Sequence, residues 1–361
     1  MIPSVPDPGV GTVPRILVCG WSGAGNVGDE LLISAVVDCL RSAGAVPVVV
    51  SRDPETSSVL HGVETVAWGP RGWLRALSER RGRGAPIDGV CVGPGGIIQD
   101  RSSVWSLPGH LLAPLLLVRR GKPVVGVGLG AEPLRRGSSR RILRSVLQGA
   151  PVVVRDPASA SAMAAAGVDA AVGADLVFGL DLEPSQRRSE IIVAIGGDVA
   201  PGRLRPAGRR LTTEDPSLVA AALGALAERV GASIALVCFR GGRDLQYAQL
   251  LASRIRRDTE ILGPGIDAQV DRIRSARLLV SSRYHPVVVA ARSGTPAIVC
   301  SDEPKLVSLV GQLDSQLVSS INQWSELPTC QLSEPSDPAV PRGVELHHQA
   351  LRELVAACIA G

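Results

Sequence analysis

The sequence CGWSGAGNVGDE, residues 19–30, decides the fold of the first half of the chain. It joins the apolar run 15–18 to a second apolar run at 31–37, a pattern that predicts a buried strand, a glycine-rich turn and a helix. Within it, residues 23–28 match the G-x-G-x-x-G pattern of dinucleotide-binding units, and Asp53 follows the next strand-like run, where such units place a ribose-binding acid. The first interpretation is therefore a dinucleotide site.

Two details argue against that interpretation. Residues 20–22 lie between the predicted strand and Gly23, so we expect a longer loop than a tight pyrophosphate turn. Asp29 and Glu30 fall in the first turn of the helix behind Asn26, which is the expected N-cap. Carboxylates therefore stand where a diphosphate needs the positive end of the helix dipole. Asp29 can equally serve only to complete a capping box with Asn26.

Length and composition narrow the function classes. The chain has 361 residues, which favours two domains. Hydrophobic residues make up 45% of the chain, enough for buried cores, but aromatic residues make up only 2%. With so few rings for stacking, a net charge of +4 and scattered arginines, nucleic-acid binding has no support. Only Lys122 and Lys305 are lysines, which marks Lys305 as a candidate functional cation.

The seven cysteines are widely spaced and form no C-x-x-C pair, as is typical of a reduced, cytoplasmic protein with buried thiols. Residues 1–14 are rich in proline and glycine and lack the apolar core of a signal peptide, so we interpret them as a flexible tail. The longest apolar block, Leu111–Val118, is too short to span a membrane. It fits a buried helix better than a helix resting on an anionic membrane surface.

Strand-like and helix-like runs alternate along most of the chain, which predicts an α/β fold of parallel sheets covered on both faces. We expect an N-terminal Rossmann-like domain at 15–184 and a C-terminal one at 185–343, joined through a polar, proline-bearing linker at 181–190. The last run, 344–361, predicts a helix that packs back on the first domain. Two doubly wound domains facing a cleft form the GT-B arrangement.

Ligands of such sheets collect at the carboxyl ends of the strands. A glycine turn at 94–100 and the pair Arg155-Asp156 follow predicted strands of the first domain. Arg240 and Arg243 follow a strand of the second domain and are candidates for binding phosphate, the alternative being a solvated loop. A long loop at 196–215 is typical of a lid, a binding loop or a disordered segment. It carries four arginines: Arg203, Arg205, Arg209 and Arg210.

The sequence SSRYHP, residues 281–286, is the most specific combination in the second half. A buried strand ends there, and Pro286 marks the first turn of a helix. The helix start supplies amide N–H groups, Arg283 a planar fork of donors, and His285 a proton or a donor. Together they suit an anion such as phosphate. The alternative is that Arg283 pairs with an acid of the linker and His285 only caps the helix.

These motifs resemble the polysaccharide pyruvyl transferase family, enzymes that transfer an enolpyruvyl unit from phosphoenolpyruvate to a sugar as a cyclic ketal. The resemblance runs from about residue 15 to residue 312 and consists of five motifs in the family's order. They are G-N-x-G-D-E at 25–30, a glycine segment ending in Q-D at 95–100, R-D at 155–156, R-x-H at 283–285, and a D-P-K-like turn at 303–305. Four positions depart from the family pattern: Trp21, Ser22, Pro94 and Pro286.

The resemblance implies a mechanism. Phosphoenolpyruvate, a co-substrate with no other cofactor needed, would be clamped across the cleft by Arg155, Arg283 and Lys305. His285 would act as the general acid or as a donor to the phosphate. Asp29 and Asp100 would bind acceptor hydroxyls or act as the base. The same resemblance assigns substrate contacts to the remaining motif positions: Gly25, Asn26, Glu30, Gly95, Gly96 and Gln99.

Other functions stay open at this point. A glycosyltransferase of the same shape would take a nucleotide sugar, although no acid in the second half is placed to hold a donor ribose. A non-catalytic relative would bind a sugar or nucleotide as a regulator. The five histidines show no metal-ligand spacing, so no metal is predicted. The predicted partners are phosphoenolpyruvate and a saccharide acceptor, free or lipid-linked.

Overall fold

A computed structural model describes most of the chain, and the structural statements below concern these residues: 13–70, 72–73, 86–101, 103–196, 215–263, 265–313, 317–332, 337–338, 341 and 343–360. The described chain forms two units. The first consists of Met1–Ala24, Asp29–Leu176 and Pro341–Gly361, and the second of Gly25–Gly28 and Val177–Val340. The four arginines expected in the 196–215 loop lie outside the described residues.

The first unit is built on a parallel sheet with the order β3-β2-β1-β4-β6-β7-β8, and β5 also pairs with β6. Its central strands are rich in valine and glycine and are mostly buried, as strands covered on both faces must be, whereas Glu64–Ala67 and Ala171–Val172 at the sheet edges are largely exposed. The strands are β1 Arg15–Ser22, β2 Val46–Ser51, β3 Glu64–Ala67, β4 Gly89–Val92, β5 Gly95–Ile98, β6 Val124–Ala131, β7 Val152–Val154 and β8 Ala171–Val172.

The helices that connect these strands include α1 Val27–Ser42, α2 Pro54–His61, α3 Ser106–Val118, α4 Gly137–Leu147 and α5 Pro157–Ala165. The apolar block Leu111–Val118 lies in α3, and most of its side chains are buried, as the buried-helix interpretation predicts. In the described part of the chain, no helix combines the length and the apolar character that crossing a membrane requires.

The second unit is built on a parallel sheet with the order β11-β10-β9-β12-β13-β14, the order of a doubly wound Rossmann sheet. Its strands are β9 Glu190–Ala194, β10 Ser233–Leu236, β11 Thr259–Ile261, β12 Leu278–Ser281, β13 Ala297–Val299 and β14 Val318–Ser320. Its helices are α6 Pro216–Val230, α7 Gly241–Ala252, α8 Ile266–Ser275, α9 Tyr284–Arg292 and α10 Pro304–Val310.

The expected α/β fold with two parallel-sheet, Rossmann-like domains is therefore confirmed. The division between the units falls at Leu176, ahead of the expected linker at 181–190. The segment after it packs into the second unit, where Arg292 Nε donates to the carbonyl oxygen of Phe178 at 3.1 Å and Arg274 Nε to that of Glu183 at 2.8 Å.

The last helix, α11 Val344–Ala360, belongs to the first unit, where it packs on β4, β6 and β7. His347 fixes it there. Its Nδ1 accepts the amide hydrogen of Gly128 at 3.1 Å, so Nε2 carries the proton and donates to the carbonyl oxygen of Ala174 at 2.8 Å. Burial lowers the pKa of His347 to about 4, which keeps the ring neutral at physiological pH.

Three sequence expectations about the first unit are wrong. β1 continues through residues 20–22 to Ser22, so Gly23 follows the strand directly and the argument from a long loop fails. Residues 95–98 form β5 on the edge of β6 and are not a turn. Asp53 caps α2, because its carboxylate accepts from Thr56 N at 3.2 Å and from Thr56 Oγ1 at 2.8 Å. The position expected for a ribose-binding acid thus has a structural task.

Candidate active site

The basic motif at 281–286 lies where the second sheet changes direction. β9 and β12 are neighbours, and the strands on their far sides, β10 and β13, continue the sheet in opposite directions. The carboxyl ends of β9 and β12 are joined by Ser282 N donating to Ala194 O at 3.0 Å and by Gly196 N donating to Ser282 Oγ at 2.9 Å. Ligands of doubly wound sheets bind at this switch point.

Arg283 is the N-cap residue of α9, and its guanidinium is held by Asp244 of α7. Arg283 Nε lies 3.2 Å from Asp244 Oδ2, and Nη2 donates to Oδ1. Asp244 is 1% exposed and also accepts from the amide of Arg240 at 3.0 Å. Asp244 therefore fixes the orientation of the Arg283 guanidinium. This carboxylate comes from the helix after β10, whereas the alternative interpretation named an acid of the linker.

Gly196 is required beside this fork. A Cβ atom at position 196 would lie 2.3 Å from Arg283 Cζ, closer than packed atoms allow. The guanidinium therefore packs flat against backbone at the end of β9, and no larger residue fits between them.

His285 is the second residue of α9, with the ring of Tyr284 edge-on at 5.3 Å between centroids. Its imidazole lies on Gly28, where a Cβ atom would come within 2.0 Å of His285 Nδ1. The last glycine of the G-x-G-x-x-G pattern thus makes room for a histidine ring instead of a pyrophosphate.

The turn Gly25–Gly28 is part of the second unit through its backbone. Val27 N donates to Phe239 O at 2.9 Å, and Asn26 forms an antiparallel bridge with Arg240. Asn26 Oδ1 accepts from Gly28 N at 3.3 Å, as expected of an N-cap. The G-N-x-G motif and the R-x-H motif therefore meet at His285, and Arg240 lies beside them.

Lys305 lies at the start of α10, after β13, and forms an ion pair with Glu303 at 3.2 Å. Its side chain is 42% exposed, so the ammonium is accessible to solvent. Arg243 is part of α7, and its side chain lies outside the described structure.

In the first unit, Arg155 follows β7 and Asp29 lies in the first turn of α1. Arg155 Nε is 3.4 Å from Asp156 Oδ2, and its guanidinium packs on Gly130, where a Cβ atom would lie 2.8 Å from Nη2. A Cβ atom at Gly95 would lie 3.7 Å from Asp29 Oδ1. Arg155 therefore lies at the carboxyl end of β7 and Asp29 in the first turn of the helix after β1, whereas Gly95 and the exposed Gly96 are the first two residues of β5.

Glu30 and Asp100 hold the fold of the first unit. Glu30 is 6% exposed and accepts from Gly23 N at 2.7 Å, from Ser22 Oγ at 2.9 Å and from His61 Nε2 at 2.9 Å. Its carboxylate thus fixes the turn after β1. The assignment of Glu30 to substrate binding stays a prediction.

Asp100 is 1% exposed and accepts from Arg135 N at 3.1 Å and Arg136 N at 2.9 Å. Burial favours its neutral form, but these amides, the Ser139 hydroxyl and the charge of Arg136 outweigh burial and lower the pKa. A lowered pKa suits an anchor for the 135–136 loop better than a base. Gln99 beside it donates to Ser106 Oγ at 2.7 Å. Catalytic use of Asp100 stays a prediction.

Sequence reasoning missed the partner of Arg283 and the glycine under it. The contact between Asp244 and Arg283 joins positions 39 residues apart, and the local sequence around Asp244 does not predict it. Gly196 follows an apolar strand, but nothing in the sequence says that a guanidinium packs on it. In the described residues, no group of three histidine, cysteine or acidic side chains is arranged to hold a metal ion.

Comparisons with known proteins add the family. The sequence profile of the polysaccharide pyruvyl transferase family matches residues 26–304. No curated protein sequence matches the chain significantly.

Among solved structures, the chain is similar in fold to UDP-GlcNAc 2-epimerase from Neisseria meningitidis bound to UDP-GlcNAc, with 10% identity, 95% of this chain and 100% of that chain covered, and a TM-score of 0.58. It is also similar to UDP-GlcNAc 2-epimerase from Methanocaldococcus jannaschii (9% identity, 95% and 99% covered, TM-score 0.57). HepE from Anabaena in complex with UDP-glucose gives 14% identity, coverage of 95% and 94%, and a TM-score of 0.52. At these identities the likeness concerns the GT-B fold alone.

Proposed function

The chain belongs to the polysaccharide pyruvyl transferase family, and we propose that it transfers the enolpyruvyl unit of phosphoenolpyruvate to two hydroxyls of a saccharide. The observation that carries the proposal is the basic start of α9 at the switch point of the second sheet, with Arg283 held by Asp244 and His285 seated on Gly28. Both residues fall in motifs by which this chain resembles the family, and this agreement supports the proposal.

The reaction needs one proton donor and a site that binds the two anionic groups of phosphoenolpyruvate. C3 of the enol is protonated, a sugar hydroxyl adds to C2, the bond from C2 to the phosphate oxygen breaks, and a second hydroxyl closes the ketal ring. The two hydroxyl protons replace the proton given to C3 and the one that leaves with phosphate. The protein must therefore hold a phosphate, hold a carboxylate and place an acid near C3.

We assign the phosphate to the first turn of α9 with Arg283, because amide N–H groups and the positive end of the helix dipole gather there. His285, one position into that helix, protonates C3 or donates to the leaving phosphate. Arg240 and Lys305 supply further positive charge in the same unit and suit the carboxylate. Arg155 and Asp29 stay predicted ligands in the first unit, for phosphoenolpyruvate and the acceptor respectively.

Acceptor-dependent release of inorganic phosphate from phosphoenolpyruvate tests the proposal. The wild-type protein is incubated with phosphoenolpyruvate and a panel of saccharides and lipid-linked saccharides. With one member of the panel, we expect phosphate to be released from phosphoenolpyruvate and an equal amount of ketal to form. Release of nucleotide from a nucleotide sugar, with no use of phosphoenolpyruvate, would favour a glycosyltransferase. No turnover with any acceptor would favour a non-catalytic relative.

A pair of histidine variants tests the role of His285. His285→Ala should lower phosphate release about 100-fold to 10,000-fold, the usual range for loss of a general acid. His348→Ala is the matched control, since His348 lies on α11 and pairs with Glu345 at 3.6 Å. Unchanged release by His285→Ala would remove His285 from the mechanism while leaving the reaction itself intact.

A further inference from the structure

Tryptophan is rare in this chain, and three of its five tryptophans gather in one cluster of the first unit. The rings of Trp68 and Trp73 meet edge-on at 5.8 Å. His110 of α3 lies 5.1 Å from the ring of Trp21 and 6.4 Å from that of Trp68. The Arg52 Cζ atom lies over two of the indoles, 4.2 Å from the centroid of Trp21 and 4.7 Å from that of Trp68.

This cluster lies at the ligand-binding edge of the first sheet. Trp21 is near the carboxyl end of β1, Arg52 directly follows β2, and Trp68 directly follows β3. Two backbone hydrogen bonds fix the strand ends together: Arg52 N donates to Ser22 O at 3.0 Å, and Trp68 N to Ser51 O at 2.7 Å. The positions of the guanidinium and of both rings are therefore set by the sheet.

The helix beneath the cluster has room for Trp68 only because it carries a glycine. A Cβ atom at Gly109 of α3 would lie 2.6 Å from Trp68 Cζ2. Glycine in a helix interior lowers stability relative to alanine. The close approach that it allows is thus a feature of the cluster and not of the helix.

Among the residues that the structure describes, Arg52 has no counter-ion. Within the described residues, its side chain makes no ion pair and no hydrogen bond, and it is exposed. The neighbouring carboxylate of Asp53 is engaged with Thr56. His110 adds no charge, because burial and the nearby charge of Arg52 lower its pKa to about 4. A guanidinium stacked on aromatic faces keeps its N–H donors in the plane of the fork, where they can bind an oxyanion bidentately.

We propose that Arg52, stacked on Trp21 and Trp68, binds a carboxylate or phosphate group of the acceptor saccharide. The proposal rests on the proposed function, because it names the chemical class of the acceptor: an acidic saccharide, either a uronic acid or a sugar phosphate. The indole faces beside the guanidinium provide apolar surface of the kind that packs against a sugar ring.

The proposal is tested by binding alone, without phosphoenolpyruvate. Glucuronate, glucose 1-phosphate and glucose are titrated into the protein while tryptophan fluorescence is followed. At least one of the two anionic sugars should change the fluorescence and bind at least about tenfold more tightly than glucose, the scale of one charge-assisted hydrogen bond. The anionic sugar that binds identifies the source of the oxyanion.

Arg52→Gln should weaken that binding by about tenfold or more. Arg119→Gln is the matched control, since Arg119 is also exposed and lies past the carboxyl end of α3, away from the carboxyl ends of β1 to β3. Equal binding of glucose and both anionic sugars, or unchanged binding by Arg52→Gln, would overturn the proposal. If Arg52→Gln lowers the free energy of unfolding but leaves sugar binding unchanged, Arg52 serves packing only and the proposal is wrong.

The two proposals fail in different ways. If the anionic sugar binds through Arg52 but phosphoenolpyruvate is never consumed, the acceptor site stands and pyruvyl transfer does not. If an uncharged saccharide is ketalated by wild-type protein and by Arg52→Gln alike, pyruvyl transfer stands and the acidic acceptor does not.

Discussion

Two helix starts in this protein carry opposite charges, and they are tied to the fold in different ways. α1 opens with Asp29 and Glu30, while α9 opens with Arg283 at its N-cap and His285 in its first turn. At the acidic start, the carboxylate of Glu30 accepts hydrogen bonds from Gly23 and His61 of the protein itself. At the basic start, a buried acid orients Arg283, and His285 lies on a glycine.

The comparison teaches that a glycine pattern does not by itself name a ligand. Gly28 looks like the third glycine of a dinucleotide fingerprint, yet it is glycine because the His285 ring occupies the space of its side chain. Under the proposed function, phosphoenolpyruvate binds at the basic start of α9, and the glycine turn positions His285, the proposed acid.

The largest effect is expected where Gly28 meets the ring of His285, both in the second unit. Gly28→Ala places a Cβ atom where His285 Nδ1 now lies, so the ring must move. We expect acceptor-dependent phosphate release to fall roughly 1,000-fold, as it would if a positioned general acid were lost. Gly224→Ala in α6 is the control, because its Cβ atom meets nothing within 4 Å and activity should not change. Full activity of Gly28→Ala would separate His285 from the chemistry.

The next effect concerns the acid that orients the basic start. Asp244→Ala leaves Arg283 without its buried partner, and we expect the free energy of unfolding to fall by about 3 kcal/mol. Urea denaturation measures this. Asp271→Ala breaks an exposed ion pair with Arg274 and should change the same quantity by less than about 0.5 kcal/mol. Equal losses in the two variants would contradict the orienting role of Asp244.

A smaller effect is expected at the acidic start. Glu30→Gln keeps an acceptor for Gly23 N but removes the charge that faces His61, and we expect a loss of about 2 kcal/mol in unfolding free energy. Glu64→Gln is the control, since Glu64 is half-exposed in its pair with Arg15. If Glu30 were an acceptor ligand instead, the KM for the acceptor would rise while stability stayed unchanged.

The smallest effect tests what remains of the dinucleotide interpretation. Asp53→Ala removes the cap of α2 and should cost about 1 kcal/mol of unfolding free energy. Phosphate release should stay at the wild-type level, because the carboxylate serves the helix. A change in KM for any substrate, with stability unaltered, would return Asp53 to the list of ligands.

Much of the fold was predictable because strands and helices of this chain alternate with clear periods. The strand at 278–281 and the helix beginning at 304 occur where the sequence places them. The extent of β1 was not predictable, since Gly20 is a turn signal in sequence and only pairing with a neighbouring strand keeps it extended. β5 was not predictable for the same reason, since its sequence begins with two glycines.

The candidate site was predictable in its motifs and not in its contacts. The residue types at 25–30 and 283–285 mark them as special, and their local order is readable. That Gly28 receives His285, and that Asp244 holds Arg283, depends on packing between segments far apart in the chain. A single sequence carries no signal for such distances.

The most direct test of the central claim is calorimetric titration of the wild-type protein with UDP-N-acetylglucosamine and with phosphoenolpyruvate, the second both alone and in the presence of the nucleotide sugar. We expect phosphoenolpyruvate to bind at one site per chain, with an affinity that UDP-N-acetylglucosamine does not reduce. Binding of UDP-N-acetylglucosamine with no detectable binding of phosphoenolpyruvate would contradict it.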